Sequence, residues 1–114
     1  MREPTFLVLA ALADGPKHGY ALIQEAATLS DGRVTLKVGT LYAALDRLGE
    51  QNLVQSAGEE IVDGRLRRYY ELTDAGASAL EDDAARQLAN ARTATERLRR
   101  RSATARISHA AATA

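Results

Sequence analysis

Cysteine and tryptophan are both missing from this 114-residue chain, phenylalanine occurs once and tyrosine four times. Without cysteine, disulfides, thiolate nucleophiles and thiolate zinc sites are excluded, which fits a reducing cytoplasm. Long apolar runs are missing too. The one near the start, Phe6 to Ala13, stops at Asp14-Gly15-Pro16. It is too short to cross a bilayer and has no lysine-rich start of the kind a signal peptide needs, so the expected location is cytoplasmic with no membrane partner. Only His18 and His109 could offer imidazole ligands, and no motif for a metal or cofactor goes with them. Net charge is zero, with 15 basic and 15 acidic residues. The chain as a whole therefore has no general attraction to nucleic acid, and any such affinity must come from local patches.

What is present reads as one small domain followed by a long helix. Pro4 suits the first turn of a helix from about Thr5 to Ala13, whose nearly continuous apolar residues imply burial on more than one side. A second helix from about His18 to Leu29 is expected to bury Tyr20, Ile23, Ala26 and Ala27 and to end at Ser30-Asp31-Gly32. The third, from about Val38 to Gln51, places Leu41, Ala44, Leu45 and Leu48 on one side and Gly39, Ala43 and Asp46 opposite, with Tyr42 and Arg47 on the flanks. Asn52 sits where a left-handed residue closes a helix. Beyond Leu53-Val54, the pair Asp63-Gly64 marks a two-residue hairpin, and Leu66, Arg68, Tyr70 and Leu72 alternate with Arg65, Arg67, Tyr69 and Glu71.

Thr73 then caps a long helix reaching about Arg101, with Gly76 tolerated in its first turn. Its narrow stripe of Leu80, Ala84, Leu88, Ala91, Thr95 and Leu98 is too long for a domain of this size to cover alone, so with Phe6 it is expected to form a homodimer interface. The expected fold class is mainly α with a small β-hairpin: a winged helix-turn-helix over residues 1–72, a dimerisation helix over 73–101 and a flexible tail over 102–114.

A helix whose outer face is small, with Thr40, Tyr42 and Arg47 at its border, can approach a phosphate backbone closely. Lys37 and Thr40 stand at its positive end, where anions are favoured. Arg65 and Arg67 share one face of the hairpin beside its turn and suit phosphate or minor-groove contact. Lys37, Gly39, Thr40, Tyr42, Ala43, Arg47, Arg65 and Arg67 are thus the expected DNA-binding residues, and double-stranded DNA is the expected partner. Each also has a plainer reading: Tyr42 packing its ring on a neighbouring helix, Arg65 and Arg67 keeping a sheet edge soluble. Glu59, Glu60 and Asp63 would repel phosphates if they faced them. Arg68 points with Tyr70 and could bridge Glu59 or Glu60. His18 is read as structural, and the arginines at 97 and 99–101 as favourable at a helix C-terminus.

These residues resemble the PadR family of transcriptional regulators: His18-Gly-Tyr20 on the second helix, Gly39-Thr-Leu-Tyr42 with Leu45 and Arg47-Leu48 on the third, then Arg67-Arg-Tyr-Tyr-Glu-Leu-Thr73 and Gly76. The resemblance spans about residues 4–100 and is closest to the compact subfamily with a short last helix. It implies a homodimer that binds promoter DNA and usually represses, with release by a small-molecule effector in some members. No aromatic residue follows Tyr70, a departure that bears on any effector pocket that depends on aromatic stacking from the last helix. No paired carboxylates, Ser/His/Asp set or glycine-rich phosphate loop are recognisable, which argues against an enzyme. The competing reading, of another class, is a winged-helix module that dimerises or docks a protein without reading DNA.

Overall fold

A computed structural model describes residues 1–113, with side chains through Ile107. Its elements are α1 (Glu3–Leu12), β1 (Lys17–His18), α2 (Gly19–Leu29), α3 (Val38–Glu50), β2 (Val54–Val62), β3 (Arg65–Leu72) and α4 (Asp74–Thr113). The chain divides into two compact units, Met1–Asp83 and Ala84–Ala114.

The first unit is the winged helix. Pro4 lies in the opening turn of α1, and Leu7, Val8, Leu9, Ala11 and Leu12 are all buried, on more than one side as the apolar run requires. They pack with Leu22, Ala26, Leu36, Leu41, Leu45, Leu48 and Val54 into one core. Ser30 caps α2 from inside that core: its hydroxyl donates to the Ala26 carbonyl at 2.7 Å and accepts from the Val34 amide at 2.9 Å, so its burial carries no unmet polar group. Asp31 and Gly32, both at positive φ, turn the chain toward α3.

The inward face of α2 differs from the expected one. Leu22 and Ala26 are buried, while Tyr20 is 66% exposed at the helix start and Ile23 and Ala27 are only half-buried. Tyr20 is amphipathic and satisfies either side of a wheel; the packing of α2 against α1 and α3 chose the arc centred on Leu22.

The hairpin is one strand richer than expected. Lys17 and His18 pair with Tyr70 and Tyr69, giving a three-stranded antiparallel sheet in the order β1-β3-β2. The β2–β3 turn is Asp63-Gly64, both at positive φ as a two-residue hairpin of this twist needs. Asn52, at φ 60°, closes α3 as the sequence indicated.

Thr73 fastens α4 to the sheet. Its hydroxyl donates to the Asn52 carbonyl at 2.6 Å and accepts from the Gly76 amide at 2.9 Å. Gly76 is required rather than tolerated: a methyl there would stand 2.0 Å from the Leu53 carbonyl oxygen. The first turns of α4, through Asp83, fall in the same compact unit as the winged helix. Asp83 is buried and ion-paired to the Met1 ammonium at 3.3 Å.

The second unit is the rest of α4. It continues as helix past Arg101, through residues expected to form a tail. The remainder of that tail, with His109, lies outside the residues described with side chains. Ala84, Leu88, Ala91, Thr95 and Leu98 are all exposed, Leu88 at 52% and Leu98 at 61%. Phe6 and Leu80, expected in the same interface, are half-buried against the core of the first unit. No helix among the described residues is long and apolar enough to cross a membrane.

Candidate nucleic-acid interface

The helix α3 turns its two sides as its periodicity dictates. Leu41, Ala44, Leu45 and Leu48 are buried, and Gly39, Thr40, Tyr42, Ala43, Asp46 and Arg47 are exposed. Lys37 is the N-cap in extended conformation, and its side chain makes no capping hydrogen bond. The first-turn amides and the Thr40 hydroxyl therefore stand at an open, electropositive helix end. Gly39 has no internal reason to be glycine: its φ is not positive, and an added methyl would meet nothing within 4 Å. Its smallness opens the surface to whatever approaches from outside.

Tyr42 is 40% exposed, with part of its ring packed inside the protein and part open to solvent. Its ring tilts against Tyr70 at 6.5 Å, and its hydroxyl reaches over Gly19, 2.7 Å from where a β-carbon would be. Gly19 thus makes room for Tyr42 at the start of α2. Gly19→Ala is expected to leave folding nearly unchanged, within about 1 kcal/mol, because only the far end of a side chain must move. The Tyr42 ring should nevertheless be displaced, and nuclear Overhauser contacts between ring and residue 19 measured beside a thermal melt check both halves of that expectation.

His18 serves structure, as expected: its Nδ1 accepts the Ala21 amide at 3.3 Å as the cap of α2, and its ring stands edge-on to Tyr69 at 5.6 Å. Lys17 beside it is held by Asp14, Glu25 at 3.5 Å and the Ala11 carbonyl, so it is not a spare cation.

Between the start of α2, Tyr42 and the wing lies a cleft of about 380 Å³, lined by His18, Gly19, Tyr20, Tyr42 and residues 65–68. Arg65, Arg67 and Arg68 all border it. The strand register separates their roles. Arg68 stands opposite Glu59 and pairs with it at 3.6 Å, on the strand face of Tyr70 and therefore toward Tyr42. Arg67 stands opposite Glu60, which accepts the Tyr69 hydroxyl at 2.7 Å. Arg65 is exposed beside the turn.

Arg68, whose expected bridge to Glu59 forms, and Tyr20, expected on the buried face of α2, border the cleft without having been among the expected DNA-binding residues. Alternation marked Arg68 as sharing the face of Tyr70, but nothing in the sequence placed Tyr70 beside Tyr42. Burial raises the Tyr70 phenol above its ordinary pKa, the nearby Tyr42 adding to the shift and Arg68 opposing it. The hydrogen bond to Glu60, followed by burial, raises that of Tyr69 against the pull of Arg67. Both phenols therefore remain protonated donors at neutral pH. Among the described residues no group of three or more His, Cys, Asp or Glu could hold a metal ion.

The family model described as the Transcriptional regulator PadR-like family matches residues 8–82. Transcriptional regulator Rv3488 of Mycobacterium tuberculosis is 42% identical over 76 residues, covering 67% of each chain. An uncharacterized 37.1 kDa protein in transposon TN4556 of Streptomyces fradiae is 46% identical over 82 residues, but the match spans 72% of this chain and only 22% of that protein. The crystal structure of Bacillus subtilis PadR in complex with operator DNA has the same fold, with a TM-score of 0.63 at 22% identity over 71% of this chain and 46% of the other. With the matched segment running from α1 through the wing into α4, the chain belongs to the PadR-like family of transcriptional regulators.

Proposed function

We propose that this chain is a sequence-specific DNA-binding repressor that acts in the cytoplasm as a homodimer on a palindromic operator. The observation that carries this is the outward face of α3. Gly39, Thr40, Ala43 and Arg47 are exposed, Gly39 has no internal packing role, and the helix end at Lys37 is open to an anion. In the proposal α3 enters the major groove and the cleft bordered by Tyr20, Tyr42 and the wing arginines takes a backbone phosphate. The solved Bacillus subtilis PadR, of the same fold, is in complex with operator DNA, which supports DNA as the partner in this reading. Repression follows from occupancy of a promoter, and an effector that altered the pairing of the two copies would release it.

Glu60, facing the same way as Arg67, favours a second reading in which the wing docks a protein rather than DNA. Footprinting the full chain on DNA flanking its own gene separates the two. Protection of two half-sites roughly one helical turn, about 34 Å, apart is expected, fading as salt rises because phosphate contacts release counterions. No protection even at low salt would leave the protein-docking reading in possession.

A further inference from the structure

The outward ridge of α3 carries charge of the wrong sign for a surface that meets phosphates. A turn of about 100° per residue puts Gly39, Ala43, Asp46 and Glu50 within roughly 60° of one another, opposite the buried Leu41, Ala44, Leu45 and Leu48. The ridge is exposed along its length, small at its N-terminal end and acidic beyond it. Resting on the DNA-binding reading above, we infer that Asp46 is a specificity-determining residue, its carboxylate accepting a hydrogen bond from the N4 amino group of a cytosine in the major groove.

Among the described residues no cation pairs with Asp46 and no side-chain hydrogen bond engages it; Arg68, on the Tyr70 face of the wing, goes to Glu59 instead. The Asp46 charge is felt by the Tyr70 phenol, behind burial and Tyr42 in effect, but no hydrogen bond joins the two. A carboxylate so placed only repels phosphates unless it finds a donor on a base. In the major groove the base amino groups that donate are adenine N6 and cytosine N4. Adenine sets its amino group beside the acceptor N7, which suits an amide that both donates and accepts. A carboxylate only accepts, and cytosine has no acceptor beside its amino group on its own edge. Reach favours Asp46 over Glu50. Asp46 stands about 10 Å of helical rise beyond Gly39 and Glu50 about 16 Å, and a recognition helix meets the base edges with its N-terminal residues. Gly39, with open space around it, and Ala43 let the helix come close enough for a side chain as short as aspartate to touch a base.

The test is selection of bound duplexes from a library with a randomised central segment, by the full chain as wild type, Asp46→Ala and Asp46→Asn, with circular dichroism melts to verify that all fold alike. The wild type should fix a cytosine at one position of each half-site, and changing that base pair should weaken its binding by roughly ten- to a hundredfold. Asp46→Ala should lose the preference at that position alone, binding the two duplexes within about threefold of each other, and Asp46→Asn should move the preference toward adenine. An alanine variant that keeps the wild-type consensus would overturn the assignment while leaving DNA reading by the rest of α3 standing. One that binds every duplex more weakly by the same factor would overturn it too, since the carboxylate would then act through Tyr70 or the fold. A wild type that enriches no sequence would remove the DNA-binding reading and this inference together.

Discussion

Gly76→Ala is expected to cost about 3 kcal/mol or more and to lower the melting temperature by on the order of 10–20 °C. The added methyl would lie 2.0 Å from the Leu53 carbonyl oxygen and 3.2 Å from Leu72 Cδ2. That carbonyl cannot simply swing away, because it accepts the Thr73 amide at 3.1 Å where the sheet hands over to α4. Relief therefore requires separating α4 from the end of α3, which disturbs the Thr73 cap and its hydrogen bond to Asn52. Gly39→Ala is the internal control: with open space around it, the same methyl should be thermally silent or slightly stabilising through helix propensity. A differential scanning measurement giving the two variants equal melting temperatures would refute the close packing at Gly76.

Replacing Arg65 and Arg67 together by Ala should weaken binding to operator and random duplexes alike, by on the order of a hundredfold near 0.1 M salt. The slope of log affinity against log salt should shrink in magnitude by about 2, one for each lost phosphate contact. Neither side chain supports the core, since both are exposed on the wing, so the melting temperature should hold. Arg68→Ala is the informative companion. Its guanidinium is partly neutralised by Glu59, so the loss should be smaller in slope and larger in the positioning of Tyr70 beside Tyr42. Fluorescence-anisotropy titrations over a salt series settle the comparison; an unchanged slope in the double variant would take the wing off the DNA.

How much of this was legible beforehand depends on how strongly each segment repeats. The face of α3 could be read residue by residue, because four apolar positions at helical spacing define a single buried arc. The wing turn was legible at Asp63-Gly64, and the closing residue of α3 at Asn52, because positive φ narrows the choice of residue to a few types. The strand β1 was not, since two residues cannot display a period of two. The arc of α2 was misjudged where Tyr20 replaced Leu22, a matter of which neighbours were present rather than of hydrophobicity. The role of Gly76 was equally hidden, since a glycine needed for space looks the same in sequence as one merely allowed.

Local patterns by themselves determined the element types, the outward face of α3 and the wing turn, because each is a property of residues near one another in the chain. Only the tertiary structure decided that Gly19 shelters the Tyr42 hydroxyl, that Tyr70 stands beside Tyr42, that β1 completes the sheet and that α4 is seated on Leu53 through Gly76. Those are contacts between segments tens of residues apart, set by how closely packed surfaces exclude one another, and no short-range periodicity encodes them.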